Sequence, residues 1–160
     1  MEKNNTNTLQ IFDRNQELKK EDENISIFIF RRDFRLYDNT AFYRCLKESK
    51  IVYPIFIFTP EQVTSKNEFK SSNAIQFMIE SLQDLSRYQN LKSLTLFYGN
   101  YLNILKHIIK NDSKINAIYT NTDYTPYAIK RDKDIYNLCT TLNIQFNCYH
   151  DITLLTPGEI

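Results

Sequence analysis

Five short apolar runs, each of strand length, constrain this chain more than any other feature. They read ISIFIF (25–30), IVYPIFIF (51–58), SLTLFY (93–98), INAIYT (115–120) and IQFNCY (144–149). A strand that is apolar at nearly every position has no wet face, so both sides of its sheet must be covered. Between the runs, apolar residues recur at helical spacing. Ala41, Phe42, Cys45 and Leu46 follow an expected N-cap at Asp38. Ile75, Met78, Ile79, Leu82 and Leu85 follow one at Ser72 or Asn73. Leu102, Leu105, Ile108 and Ile109 share a face within 101–110, and Pro126 opens a helix carrying Ile135, Leu138, Cys139 and Leu142. Such alternation, joined by right-handed crossovers, predicts an α/β domain: a Rossmann-like, doubly wound, five-stranded parallel sheet with helices on both faces. Pro54 cannot donate to a ladder and predicts a bulge or an unpaired position in the second strand. TPEQVTSKNEFKS (59–71) reads as a polar loop.

The folded unit is expected over 25–150. Residues 1–24 are polar with little periodicity and predict a mobile, disordered tail with a short helical turn near Leu9 to Leu18. They hold six acids against four bases and no apolar core, so they resemble neither a signal nor a transit peptide. DITLLTPGEI (151–160) reads as an extended exit. No apolar run approaches the roughly 18 residues of a membrane span, so a soluble intracellular protein with no membrane partner is expected. The net charge of +1 points to no polyanion.

Much chemistry is excluded. With glycine only at 99 and 158, neither a dinucleotide-binding glycine loop nor a phosphate-cradling Walker loop can be written. No G-x-S-x-G elbow occurs. Cys45, Cys139 and Cys148 are scattered, His107 falls within a helix and His150 just beyond the last strand. These do not assemble the clustered ligands of a metal site, and reduced thiols in a core are the simpler reading.

Two stretches remain, both just past the carboxyl end of a strand, where doubly wound sheets bind ligands. FIFRRDFRLYDN (28–39) packs Arg31, Arg32, Asp33, Arg35 and Asp38 into one turn, and TNTDYTPYAIKRD (120–132) carries Asn121, Asp123, Tyr124, Tyr127, Arg131 and Asp132. If strands 1 and 4 are neighbours, the two stretches flank one crevice. Arginine and aspartate here can brace each other through bidentate pairs or meet a planar ligand, and the tyrosines can pack or stack.

These residues resemble one family. FRRDFRLYDNTAF is similar to the strand 1 signature W-F-R-R-D-L-R-L-H-D-N-x-A-L of DNA photolyases and cryptochromes, with Ile29 in place of Trp, Phe34 and Phe42 in place of Leu and Tyr37 in place of His. YPIFIFTPE resembles the family's second strand, NAIQFMIESLQDL its long helix, NTDYTPYAIKRD the segment N-x-D-Y-x-P-Y-x-x-x-R-D, and TPGEI the P-G-x-I exit. The resemblance runs in order from Ile25 to Ile160. It implies strand order 3-2-1-4-5 and the N-terminal antenna domain of such a protein, with 151–160 starting the linker to an absent FAD-binding helical domain.

The resemblance further implies an antenna chromophore in the crevice, held by Arg31, Asp33, Asn121, Asp123, Tyr124 and Tyr127. Folate-binding members have an Asn-Glu pair where Tyr127 and Ala128 stand, and deazaflavin-type members have an acid at Asp123. A deazaflavin or flavin is therefore expected rather than folate. The FAD would lie only on a partner chain, the helical half of a split or truncated deoxyribodipyrimidine photolyase. Damaged DNA would be met indirectly, with no catalytic residue in this chain and no activity alone. Two alternatives stay open. One is a non-enzymatic cryptochrome-like light-sensing module or inactive remnant. The other is an independent nucleotide-binding protein, which glycine scarcity disfavours.

Overall fold

The computed structural model describes residues 24–87, 91 and 93–153. The tail expected before Asn24 and the exit beyond Thr153 lie outside the described residues. The elements are β1 (Ile25–Phe30), α1 (Thr40–Glu48), β2 (Ile51–Phe58), α2 (Pro60–Val63), α3 (Ser72–Arg87), β3 (Thr95–Tyr98), α4 (Tyr101–Asn111), β4 (Ile115–Asn121), α5 (Pro126–Leu142) and β5 (Gln145–Tyr149). All five strands are parallel, in the order β3-β2-β1-β4-β5. The doubly wound class and the order 3-2-1-4-5 are as expected, and the reversal of strand order falls between β1 and β4.

The Ile/Phe alternation of ISIFIF and PIFIF sorts the core into two layers. Side chains two apart share a sheet face. Ile25, Ile27, Ile29, Ile55 and Ile57 form one layer with Leu105 and Ile109 of α4 and Ile135 and Cys139 of α5. Phe28, Phe30 and Phe56 form the other with Ala41, Phe42 and Cys45 of α1 and Leu82 and Leu85 of α3. Phe28 meets Phe30 and Phe42 edge to face, with centroids 4.7 and 4.9 Å apart. Each such burial contributes about 1.5–3 kcal/mol. Polar side chains inside these layers are paired. Ser49 Oγ donates to Ser26 Oγ (2.7 Å), Thr120 Oγ1 to the Ile29 carbonyl (3.1 Å) and Tyr119 Oη to Glu48 (2.8 Å).

Several local expectations change. The N-cap of α1 is Asn39, whose Oδ1 accepts from the Phe42 amide. Asp38 sits at φ 52°, a left-handed conformation that does not fit a cap, and its carbonyl accepts from Arg35 Nε and Nη2. The cap of α3 is Ser71, one residue earlier than expected, with Oγ accepting from the Ala74 amide. Leu46 is half exposed rather than inward. The loop 59–71 contains α2, opened by Thr59 and Pro60. Of the two outcomes expected at Pro54, the unpaired position holds and the bulge does not: β1 and β2 stay in register from Ile25↔Ile51 to Phe30↔Phe56, with Pro54 opposite Phe28. β3 joins β2 only from Ile55 onward, so at Pro54 one side of β2 has no partner strand, which is where a residue without N–H is tolerated. The register shift lies instead between β1 and β4, at Ile25/Ser26.

Candidate functional site

Arg31 leaves the end of β1, and Asn121 ends the neighbouring β4, so the topology places the two side by side. Arg31 donates to Asp132 through Nη1 (2.9 Å) and Nη2 (2.5 Å), and Nη1 also donates to the Asn121 carbonyl (3.1 Å). Both charged side chains are almost fully buried. Asp33 caps the same turn: its Oδ1 accepts from the Arg31 amide (2.9 Å) and its Oδ2 from Asn121 Nδ2 (2.5 Å). Asn121 Nδ2 also reaches Asn39 Oδ1 (2.8 Å), and Asn121 Oδ1 accepts from the Ala41 amide (3.0 Å). Arg31, Asp33, Asn39, Asn121 and Asp132 thus form one closed network. It joins the first turn of α1, the ends of β1 and β4 and the second turn of α5, and it satisfies buried polar groups that would each be costly alone. Arg35 extends it by donating to Asp151 (2.5 Å), whose other oxygen accepts from the Thr40 amide (2.8 Å).

A crevice of about 450 Å³ opens beside this brace. Its floor is Ile29, Phe30, Phe56 and Ile57 at the strand ends, with Leu105 and Ile135 on the helices. Tyr101, Tyr127 and Phe69 add aromatic surface, and Arg31, Arg32, Asp123 and Arg131 add charge. Among the expected site residues, Arg31, Asp123 and Tyr127 line this crevice. Asp33 and Asn121 line a smaller adjoining cleft of about 50 Å³. Tyr124 lines neither; its ring stacks on His150, and its hydroxyl bonds to His150 Nδ1 and Thr153 (3.2 Å). The crevice also extends over the end of β2, a wall that the reading from strands 1 and 4 alone misses. The missed residues Thr59, Glu61, Gln62, Asn67 and Phe69 come from the segment read as a plain loop, and Tyr101 from the start of α4. The available signal was position: 59–71 also follows the carboxyl end of a strand.

Arg131 has the most unusual setting. Its Nε donates to Asp132 Oδ1 at 3.3 Å, its guanidinium lies 5.7 Å over the Tyr127 ring, and its buried Nη2 has no hydrogen-bond partner. Burial pushes its pKa down, and the nearby charge of Arg31 adds to that. Burial raises Tyr101 well above the ordinary phenol range, helped by its 2.9 Å hydrogen bond to Asp134. Burial pushes the Cys148 thiol up to about 12, so it holds its proton and offers no thiolate. Among the described residues no His/Cys/Asp/Glu group could hold a metal, and no helix is long and apolar enough to cross a membrane. His107 is exposed and bonds to Asn111 in its own helix.

The crevice is therefore large enough for a small planar ligand, lined by rings and carrying an unsatisfied buried cationic nitrogen. No nucleophile or acid–base pair is poised within it. Fold and crevice together define a doubly wound α/β domain built around a switch-point cleft. A family model described as DNA photolyase matches residues 26–160, and the chain belongs to that family.

The deoxyribodipyrimidine photo-lyase of Buchnera aphidicola subsp. Baizongia pistaciae is 31% identical over 143 residues, covering 86% of this chain and 30% of that protein. Cryptochrome-1 of Drosophila melanogaster is 29% identical over 129 residues, covering 76% of this chain and 23% of its own length. Among solved structures, an archaeal photolyase from Sulfolobus tokodaii superposes with a TM-score of 0.78 at 38% identity, covering 85% of this chain and 31% of that one. That structure is described as holding two FAD molecules, with the implication of a novel light-harvesting cofactor. A class III photolyase from Agrobacterium tumefaciens shares the fold, with a TM-score of 0.72 at 22% identity. The chain spans less than a third of the length of these relatives.

Proposed function

We propose that this chain is the light-harvesting part of a DNA photolyase, holding an antenna chromophore in the crevice at the ends of β1, β2 and β4. The observation that carries this reading is the ring-lined cavity of about 450 Å³ with the unpartnered Nη2 of Arg131 in its wall. A flavin or deazaflavin suits it better than folate. Tyr127 and Ala128 offer no amide or carboxylate where folate-binding members have Asn-Glu: Ala128 is fully buried, and Tyr127 lies beneath Arg131. The second FAD described for the Sulfolobus relative points the same way. Tyr101 and Tyr127 would flank the ring plane, Asp123 and Arg131 would hold its polar edge, and the apolar floor would exclude water. The Arg31–Asp132 brace, with Asp33 and Asn121, keeps the walls at fixed spacing. When bound, the chromophore supplies absorption of light and passage of the excitation, by dipole coupling, to the FAD that drives repair of pyrimidine dimers.

The FAD-carrying helical part of the enzyme would receive the excitation, and damaged DNA would be met through that part. The test is reconstitution. The purified chain, incubated with a flavin and separated by gel filtration, should retain the ligand's visible absorption, whereas a folate should wash away. Co-expression with a candidate helical half should give a complex that repairs ultraviolet-damaged DNA in light. Failure to retain any chromophore would remove the antenna role, and failure to co-purify would remove the split enzyme. The similarity to Cryptochrome-1 favours a second reading, a light-sensing module without repair activity. Chromophore retention with a stable partner complex but no repair would select it.

A further inference from the structure

We infer that the outward face of α4 and α5 is a contact surface for the phosphates of duplex DNA, separate from the crevice. The two helices lie on the isoleucine layer through Leu105 and Ile109 of α4 and Ile135 and Cys139 of α5. The Tyr101 hydroxyl, donating to Asp134 at 2.9 Å, ties one helix to the other. With those residues inward, helical spacing turns Lys106 and Lys110 of α4 and Lys130 and Lys133 of α5 toward solvent, and all four are exposed. α4 contains no acid. α5 contains two, and neither is exposed: Asp132 is buried on Arg31, and Asp134 is half-buried against Tyr101. Of the acids that flank the helices, Asp112 accepts from the Tyr53 hydroxyl and the Lys114 amide, and Asp123 pairs with Arg32 at 3.5 Å. The exposed charge of this helix pair is therefore of one sign.

A helix face that is merely solvated usually interleaves its charges. The other side of the sheet is built that way. There α1 and α3 expose Lys47 and Arg87 alongside Glu80 and Asp84, and Arg44 lies 3.9 Å from Glu48 one turn on. On α4 and α5 the pattern is reversed. Lys106 and Lys110 stand four apart and Lys130 and Lys133 three apart, spacings at which like charges repel. Asp134, four residues on from Lys130, is turned to Tyr101 instead. The chain's net charge of +1 conceals this face, because the rest of the chain is net negative once these four lysines are set aside. Helices rise about 1.5 Å per residue and pack about 8–10 Å apart, so the four ammonium groups spread over a patch on the order of 10–20 Å across. A duplex presents a dense, regular row of phosphates to such a patch and relieves the repulsion by releasing its own counterions. Lysine, a compact point charge on a flexible stem, suits a phosphate oxygen in any sequence. The contact is therefore with the backbone and carries no base preference. It does not depend on the antenna reading of the crevice.

The test is the affinity of the purified chain for a fluorescently labelled, undamaged duplex, followed by anisotropy. Between about 50 and 200 mM salt, four phosphate contacts predict a fall of about 150-fold in affinity, and two contacts a fall of about 12-fold. Lys106→Gln with Lys110→Gln should move the chain from the first value to the second, and so should Lys130→Gln with Lys133→Gln. Glutamine at all four positions should abolish binding, and arginine at all four should keep it. Lys47→Gln with Arg87→Gln removes the same charge from the opposite face and should leave the salt dependence unchanged. All six side chains are exposed, so no variant should lower the melting temperature; the arginine variant retains the charge should the glutamine variant do so. No binding by wild type at the lowest salt, or an equal loss in the Lys47/Arg87 pair, would overturn the inference. Binding to vesicles of phosphatidylcholine and phosphatidylserine that needs the four lysines, with none to the duplex, would overturn it in favour of a lipid surface. Flavin retention should be the same in wild type and the glutamine variant, so loss of duplex binding leaves the antenna role standing.

Discussion

At the scale of single residues, the dense charge after β1 is a brace before it is anything else. Asp132 is its keystone, because Arg31 and Arg131 both contact it. Asp132→Ala would strand two buried guanidinium groups, so a loss of about 3–5 kcal/mol in urea unfolding is expected. Asp151 gives a pH signature. Its burial pushes its pKa up, but hydrogen bonds from Thr40 and Arg35 outweigh this and leave it below its ordinary value of 3.8. A depressed folded value means that the ionised form stabilises the fold above that ordinary value. The contribution is lost as pH falls through the lower folded value. Wild type should therefore exceed Asp151→Asn in melting temperature at neutral pH, and the gap should shrink well below pH 3.8. A gap that persists unchanged in acid would show that Asp151 acts by shape rather than charge. Arg31, Asp33 and Asn121 were legible in the sequence as a cluster, but their pairing was not. Which carboxylate meets which guanidinium depends on residues 101 positions apart in the chain.

At the scale of elements, helix caps separate local from tertiary effects. Thr125 caps α5 through one bond, from the Ala128 amide at 3.3 Å. Asn39 caps α1, and its side chain also accepts from Asn121 and donates to Asp33 Oδ2 and the Arg35 carbonyl. Thr125→Ala should cost about 1 kcal/mol, the ordinary worth of a cap. Asn39→Ala should cost clearly more, about 2–4 kcal/mol, since each buried partner left unpaired adds its own penalty. Equal losses in chemical denaturation would refute the network. The sequence shows a capping residue near 38–39 in either case, but Asp38 and Asn39 are both good caps by type. The choice between them came from the Arg35 side chain, which holds the Asp38 carbonyl in a turn.

At the scale of the whole molecule, stability resides in the two layers that sandwich the sheet. Phe28 is fully buried in the phenylalanine layer, while Phe77, on the same side of the chain's polarity scale, is 71% exposed on α3. Phe28→Ala should cost about 3–5 kcal/mol. Phe77→Ala should stay within about 0.5 kcal/mol, read by the same unfolding titration. A large loss at Phe77 would mean that α3 packs more tightly than its exposure allows. The same architecture divides the labour of function. The sheet and its brace form the cleft, and aromatic and cationic side chains line it.

The sequence by itself determined the class of fold, the positions of ten-residue-scale elements and the two strand ends where a site would lie, because hydrophobic periodicity and capping chemistry are local. Its order of motifs also identified the family. Tertiary structure alone decided three things. It showed that Pro54 costs no register, because β3 begins only at Ile55. It extended the crevice over the end of β2, because 59–71 folds back through α2 to line it. And it left Arg131 with an unpaired nitrogen, because two arginines converge on one aspartate. Counter-charge is a property of neighbours in space, and no spacing along the chain records it.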